Sequence, residues 1–273
     1  MPMPAAHWTL DDIPWDRFDP AKVDGDLLKI AKAAALVEFN GEDYATYLCN
    51  VFEGDEAFCR VAWNWAREEV QHGEALGRWA QRADPTFDFP GAVKRFRAGY
   101  RIEMQTSGSI RGSRAGELVA RCIVEVGTSS YYSALGEAAE EPVLKEICKR
   151  IAADELRHYK LFYTNMKRYL EKEGIGRLRR ALVALGRIRE SEDDELAYAY
   201  YAANGGAEAY DRERWSRAYM SRAASYYRPR HVERAVAMTF KAAGLPPQGA
   251  LARLAAKGAY RLLQARIRRA AAA

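Results

Sequence analysis

Apolar residues recur at three- and four-residue intervals through almost every long segment of this 273-residue chain, while alternating, strand-like stretches are weak. A period near 3.6 puts one apolar stripe on each segment, so the chain has to bury helix against helix. The fold class is read as all-α. Breaks between the periodic segments then limit the topology. A first long helix is expected at about 26–52, and the EGDE turn at 53–56 separates it from a second at about 57–82. So short a link forces an antiparallel hairpin. After ADPTFDFPG, a helical stretch near 90–103 leads into QTSGSIRGSRAG. A third long helix at about 114–138 and a fourth at about 143–172, behind Pro142, make a second hairpin.

Two hairpins joined by one long connection describe a ferritin-like four-helix bundle with a single crossover. The chain therefore divides into an N-terminal arm at 1–25, the bundle at 26–172, and additional C-terminal helices at 173–273, expected to pack on the bundle and punctuated by NGG, YRPRH and GLPPQG. A hydrophobic content of 49% suffices for a substantial core. The chain has no run of eighteen uncharged apolar residues, and its start, MPMPAAHWTLDDIPWDRFDP, is unlike a signal peptide, so a cytoplasmic protein is expected. Cys49, Cys59, Cys122 and Cys148 lack metal-knuckle spacing and are expected to be buried, reduced thiols.

The second and fourth helices carry the same short pattern. AREEVQHG places Glu69 three residues before His72, and AADELRHY places Glu155 three residues before His158. That spacing sets both side chains on one helical face. One such pair is weak evidence, but the chain has only four histidines and two of them fall in this pattern. A pair of hard cations needs further anionic oxygens from the first and third helices. CIVEVGTSSYY supplies Glu125 within an apolar stretch, where an unpaired carboxylate is costly to bury. LVEFNGEDYATYL supplies Glu38 and Glu42 on one stripe; Glu38 is preferred, with Glu42 the alternative or a supporting acid. Glu68 and Asp154, beside two of these glutamates, are candidates to orient the imidazoles, with a surface ion pair to Arg157 as the rival reading. Thr128, one turn beyond Glu125, faces the same interior; a proton-relay role competes with a bond to its own preceding turn. Tyr131, Tyr132, Trp63 and Trp65 are read first as packing.

EICKRIAADELRHYKLF, EEVQHG and the EVGT segment together resemble the soluble acyl-acyl carrier protein desaturases over about residues 36–170. That resemblance implies Glu69, His72, Glu125, Glu155 and His158 as metal ligands, a first-helix glutamate near 38–42, and Thr128 as a hydroxyl near the oxygen-binding face. It implies two iron ions, or a mixed manganese–iron pair, with O2 as co-substrate. The expected activity is desaturation or hydroxylation of an unactivated C–H bond on an acyl-type substrate, carrier-linked or lipid. Related six-ligand proteins keep N-oxygenation and non-catalytic iron handling as alternatives.

The chain lacks a flavin or nicotinamide fingerprint, so an external electron donor of the ferredoxin or reductase type is expected. The net charge is +5, yet eight basic residues and no acidic ones follow Glu233. The basic terminal helix is compatible with docking an acidic carrier protein or donor, with an anionic membrane, or with plain solvation. In it Leu251, Leu254 and Leu262 are assigned to the apolar side. Nucleic-acid binding is not expected, because the basic residues are not interleaved with a recognition motif. A homodimer is compatible with the resemblance.

Overall fold

The computed structural model describes residues 7–102, 104, 106, 108–190, 194–206 and 208–272, with side chains to residue 269. Residues 1–6 of the expected arm lie outside these. The described residues are all-α. Three 3-10 turns at Leu10–Asp12, Trp15–Arg17 and Pro20–Lys22 precede the helices α1 (Gly25–Glu38), α2 (Gly41–Val51), α3 (Glu56–Ala83), α4 (Phe89–Gly99), α5 (Arg114–Ala138) and α6 (Pro142–Glu173). Then come α7 (Arg177–Glu190), α8 (Asp194–Asn204), α9 (Arg212–Ser225), α10 (Pro229–Ala243) and α11 (Ala250–Ala272).

Capping side chains fix where the long helices begin. Asp55 accepts from Phe58 N at the start of α3, and Ser113 accepts from Gly116 N at the start of α5. Glu141 accepts from the first amides of α6 and also from the Trp79 indole at 2.7 Å, tying α6 to α3. Glu173, at the end of α6, accepts from Arg114 N and Ala115 N, where the positive end of α5 favours a carboxylate. α6 closes on Gly174 at φ +64°, a left-handed residue that only glycine adopts without cost.

α1 and α2 pack along α3, and α5 packs along α6, giving the two hairpins; the crossover runs through α4. α8 and α9 cover α1, α7 and α10 cover α5, and α11 packs on α9 and α10. The apolar interior forms two bodies. One gathers Ile30, Leu36, Leu76, Trp79, Leu135 and Ile147. The other gathers Leu48, Phe58, Trp65, Leu118, Val126 and Phe162. Residues 69–72 of α3 and 155–158 of α6 fall between them.

Four expectations need correction. The first bundle helix is not continuous but breaks at Phe39–Asn40. Asn and Gly are poor helix formers, and here they also admit close contact: a Cβ on Gly41 would lie 2.7 Å from Glu69 Cβ, and one on Gly73 would lie 2.6 Å from the Phe39 nitrogen. The stretch expected near 90–103 ends at Gly99, where a Cβ would collide with Tyr198. α11 packs through Ala252 and Ala256 and leaves Leu251, Leu254 and Leu262 exposed, the reverse of the expected face. Cys122 and Cys148 are buried free thiols, whereas Cys49 and Cys59 are free but only half-buried. No helix among the described residues is long and apolar enough to cross a membrane.

Candidate metal centre

Glu38 is the last residue of α1, Glu69 and His72 lie on α3, Glu125 on α5, and Glu155 and His158 on α6. All six are at most 7% exposed. They form two overlapping groups, Glu38–Glu69–His72–Glu155 and Glu69–Glu125–Glu155–His158, each with one ligand atom per residue within 4.8 Å of the others. Glu69 and Glu155 belong to both, as carboxylates bridging two cations would. Glu42 is exposed, so Glu38 is the first-helix acid that reaches the cluster.

Nδ1 of His72 lies 3.6 Å from Glu38 Oε2 and 3.4 Å from Glu155 Oε1. Nδ1 of His158 lies 2.9 Å from Glu69 Oε1 and 3.6 Å from Glu125 Oε2. None of these contacts has hydrogen-bond geometry. Glu38 Oε2, Glu69 Oε1, His72 Nδ1, Glu125 Oε1, Glu155 Oε1 and His158 Nδ1 are all buried and all lack a hydrogen-bond partner. Most buried polar atoms in a protein interior are paired, and the few exceptions are seldom gathered in one place. Six facing one another, in a set of four carboxylates and two imidazoles, fit a pair of divalent cations.

The outward nitrogens are fully engaged. His72 Nε2 is 3.0 Å from Asp154 Oδ2, and His158 Nε2 is 2.8 Å from Glu68 Oε2. With the proton on Nε2, each Nδ1 lone pair is turned into the cluster. Arg157 donates to both acids, at 2.5 Å to Asp154 Oδ1 and 3.2 Å to Glu68 Oε2, so the ion-pair reading and the orienting reading both hold.

The arm adds contacts that the sequence did not disclose. Trp8 donates its indole N–H to Asp154 Oδ2 at 2.7 Å, and its ring stacks on His72 at 5.9 Å and 6°. His7 Nε2 lies 2.8 Å from the same carboxylate oxygen. These partners are about 146 residues apart, beyond any local spacing rule. Thr128 donates to Glu155 Oε2 at 2.5 Å and also bonds back to the Val124 and Glu125 carbonyls, so both sequence readings describe it. Tyr132, read as packing, donates to Glu38 Oε1 at 2.6 Å.

Burial and close packing shift the titration of the cluster's carboxyls and imidazoles. Burial, reinforced by Glu155 and Glu38, pushes the Glu69 carboxyl well above the carboxylate range. Burial also pushes Glu125 up to about 8, against the pull of His158. For His72, burial disfavours the charged ring, but contacts with Asp154, Glu155 and Glu38 outweigh it and hold the imidazole well above its ordinary value. His158 behaves likewise beside Glu125, Glu155, Glu68 and Glu69. Asp154 is held low despite burial, by the donors His72, Trp8 and His7. The Glu69, His72 and His158 shifts share one cause, the crowding of buried carboxylates, which favours positive charge within the cluster.

No protein-family model matches the chain, and no match was found among curated proteins.

Proposed function

We propose that this chain is a di-iron, O2-dependent oxidoreductase that desaturates or hydroxylates an unactivated C–H bond of an acyl-type substrate. The observation that carries the reading is the ring of six buried, partnerless ligand atoms drawn from four helices. Glu38, Glu69, His72, Glu125, Glu155 and His158 would hold the two irons, and the same oxygen and nitrogen donors accept a manganese–iron pair. Iron bound there supplies the activation of O2, using two electrons from an external ferredoxin- or reductase-type donor.

The chain's own groups have defined tasks. Asp154 and Glu68 keep the proton on the outer nitrogen of each imidazole and fix the ring planes. Thr128 can pass a proton to or from Glu155 Oε2, which it already touches. Trp8 and His7 brace the outer side of the His72–Asp154 pair by bonding the same carboxylate oxygen. The acyl class of substrate is supported by the resemblance of AADELRHY, EEVQHG and EVGT to the desaturases. The basic terminal helix supports an acidic docking partner, donor or carrier.

Iron-reconstituted protein should hold about two irons per chain, and a Glu155→Ala, His158→Ala double variant should hold fewer than one. Less than about one iron in the parent protein, or no loss in the variant, would remove the metal centre. Given two irons, an oxidoreductase consumes O2 in a manner stimulated by a carboxylic or acyl substrate and an added donor. Oxidation followed by release of ferric iron would assign the chain to iron handling.

A further inference from the structure

Helix α7 carries Leu178, Leu182, Leu185 and Ile188 at spacings of four, three and three, which draws one stripe along the helix. All four face outward, between 43% and 75% exposed, and only Ala184 of this helix is buried. α11 repeats the arrangement: Leu251, Leu254 and Leu262 share one side and are 63% to 68% exposed. α10 packs against both helices, and Arg180 of α7 lies against Gly244 in the turn before α11, so their first turns are near one another. Apolar residues exposed singly are ordinary, but two neighbouring helices that each turn a stripe outward mark a surface that meets something apolar.

Charge narrows what that is. Arg177, Arg179 and Arg189 stand exposed beside the α7 stripe, and the one acid of the helix, Glu190, is paired with Arg111. α11 has no acid at all, and Lys257, Arg261, Arg268 and Arg269 are exposed around its leucines. A second copy meeting this face symmetrically would set arginine against arginine. A protein partner would need a pocket for each protruding side chain, and leucine seldom anchors such interfaces. An anionic bilayer asks for neither: its headgroups match the basic rim, and its acyl region closes around apolar side chains wherever they stand.

We infer that the exposed faces of α7 and α11 form a docking surface for a membrane rich in anionic phospholipid. The helices lie in the headgroup plane, since neither is long and apolar enough to cross the bilayer. The leucines enter the acyl boundary, while the arginine and lysine heads stay at the level of the phosphates. Apolar insertion and charge attraction add to one binding strength, so removing either weakens it. The surface itself does not depend on the metal centre. Only a further consequence, that the bundle meets acyl chains where a membrane holds them, rests on the proposed function.

The full chain, metal-free and iron-reconstituted, should be sedimented with vesicles of phosphatidylcholine alone and of equal parts phosphatidylcholine and phosphatidylglycerol, with iron content determined for every sample. Binding to the mixed vesicles and not to phosphatidylcholine is expected in both forms, weakening as salt rises. Leu182→Ser with Leu185→Ser should weaken binding by about 10- to 100-fold, from the lost burial of two leucines. Lys257→Gln with Arg261→Gln should weaken it by about 10- to 30-fold. Both variants change exposed side chains, so iron content and helical circular dichroism should match the parent. No binding to the mixed vesicles, or binding unchanged in the leucine variant, would overturn the lipid surface. So would a parent dimer that the leucine variant dissociates, or an acidic acyl carrier protein that binds at least as tightly and is lost in the same variants. Protein that holds no iron yet binds the mixed vesicles would instead overturn the metal centre and leave this surface standing.

Discussion

The imidazoles of the cluster are held by carboxylates that never face it. Asp154 gathers His72, Trp8 and His7 on one oxygen and Arg157 on the other. Replacing it with Asn puts an amide where three donors converge and loosens the His72 ring. Asp154→Asn should lower metal affinity by about 10- to 100-fold while leaving the helical content intact, as read by chelator competition and circular dichroism. At this scale the sequence was informative where spacing on one helix decides the outcome. Glu69 with His72 and Glu155 with His158 were legible because a separation of three fixes a shared face. Trp8 and His7 were not legible, because their shared partner Asp154 lies about 146 residues further along the chain. Tyr132 does pack in the core, but its hydroxyl bond was not legible for the same reason: its partner, Glu38, comes from another helix.

At the scale of elements, the ends of α3, α5 and α6 match the pattern of apolar period and caps, since Asp55, Ser113 and Pro142 each mark a start chemically. The break between α1 and α2 escaped notice because apolar periodicity runs straight through it, and contact with α3 completes the reason that Asn40 and Gly41 begin. Gly73 allows that contact. A Gly73→Ala substitution drives a methyl group to 2.6 Å from the Phe39 nitrogen, and the two helices have to separate or shift. Loss of about 1–3 kcal/mol is expected, from the cost of overpacking, measured as a lower urea midpoint in metal-free protein. Exposed Leu251, Leu254 and Leu262 teach a complementary point. An amphipathic pattern identifies two faces, but alanines packed against α9 and α10 decided which face turned inward.

For the molecule as a whole, charged contacts at the rim of the first apolar body join segments far apart in the chain. Lys32, 8% exposed on α1, donates to Asp84 at 2.6 Å at the end of α3. Hydrogen bonds from Lys32 and Thr86 hold the Asp84 carboxyl down at about 2, below its ordinary 3.8. A depressed acid stabilises the fold above its unfolded value, and that contribution is lost as pH falls from about 4 toward 2. Metal-free parent protein should therefore exceed Asp84→Asn in urea midpoint at pH 6, and the gap should shrink steadily between pH 4 and pH 2. A constant gap would show that the ion pair does not contribute to the acid limb.

The arm across α6 also sets an order of assembly. His7 and Asp154 are 147 residues apart, and Arg150 reaches back 138 residues to the Asp12 carbonyl. At a synthesis rate of about 5–20 residues per second, the arm leaves the ribosome roughly 7–30 s before its docking surface exists. Both hairpins have to meet before that surface is complete. The arm, made well before α6, has to wait for both hairpins to meet, and until it docks the face of His72 that Trp8 covers stays bare.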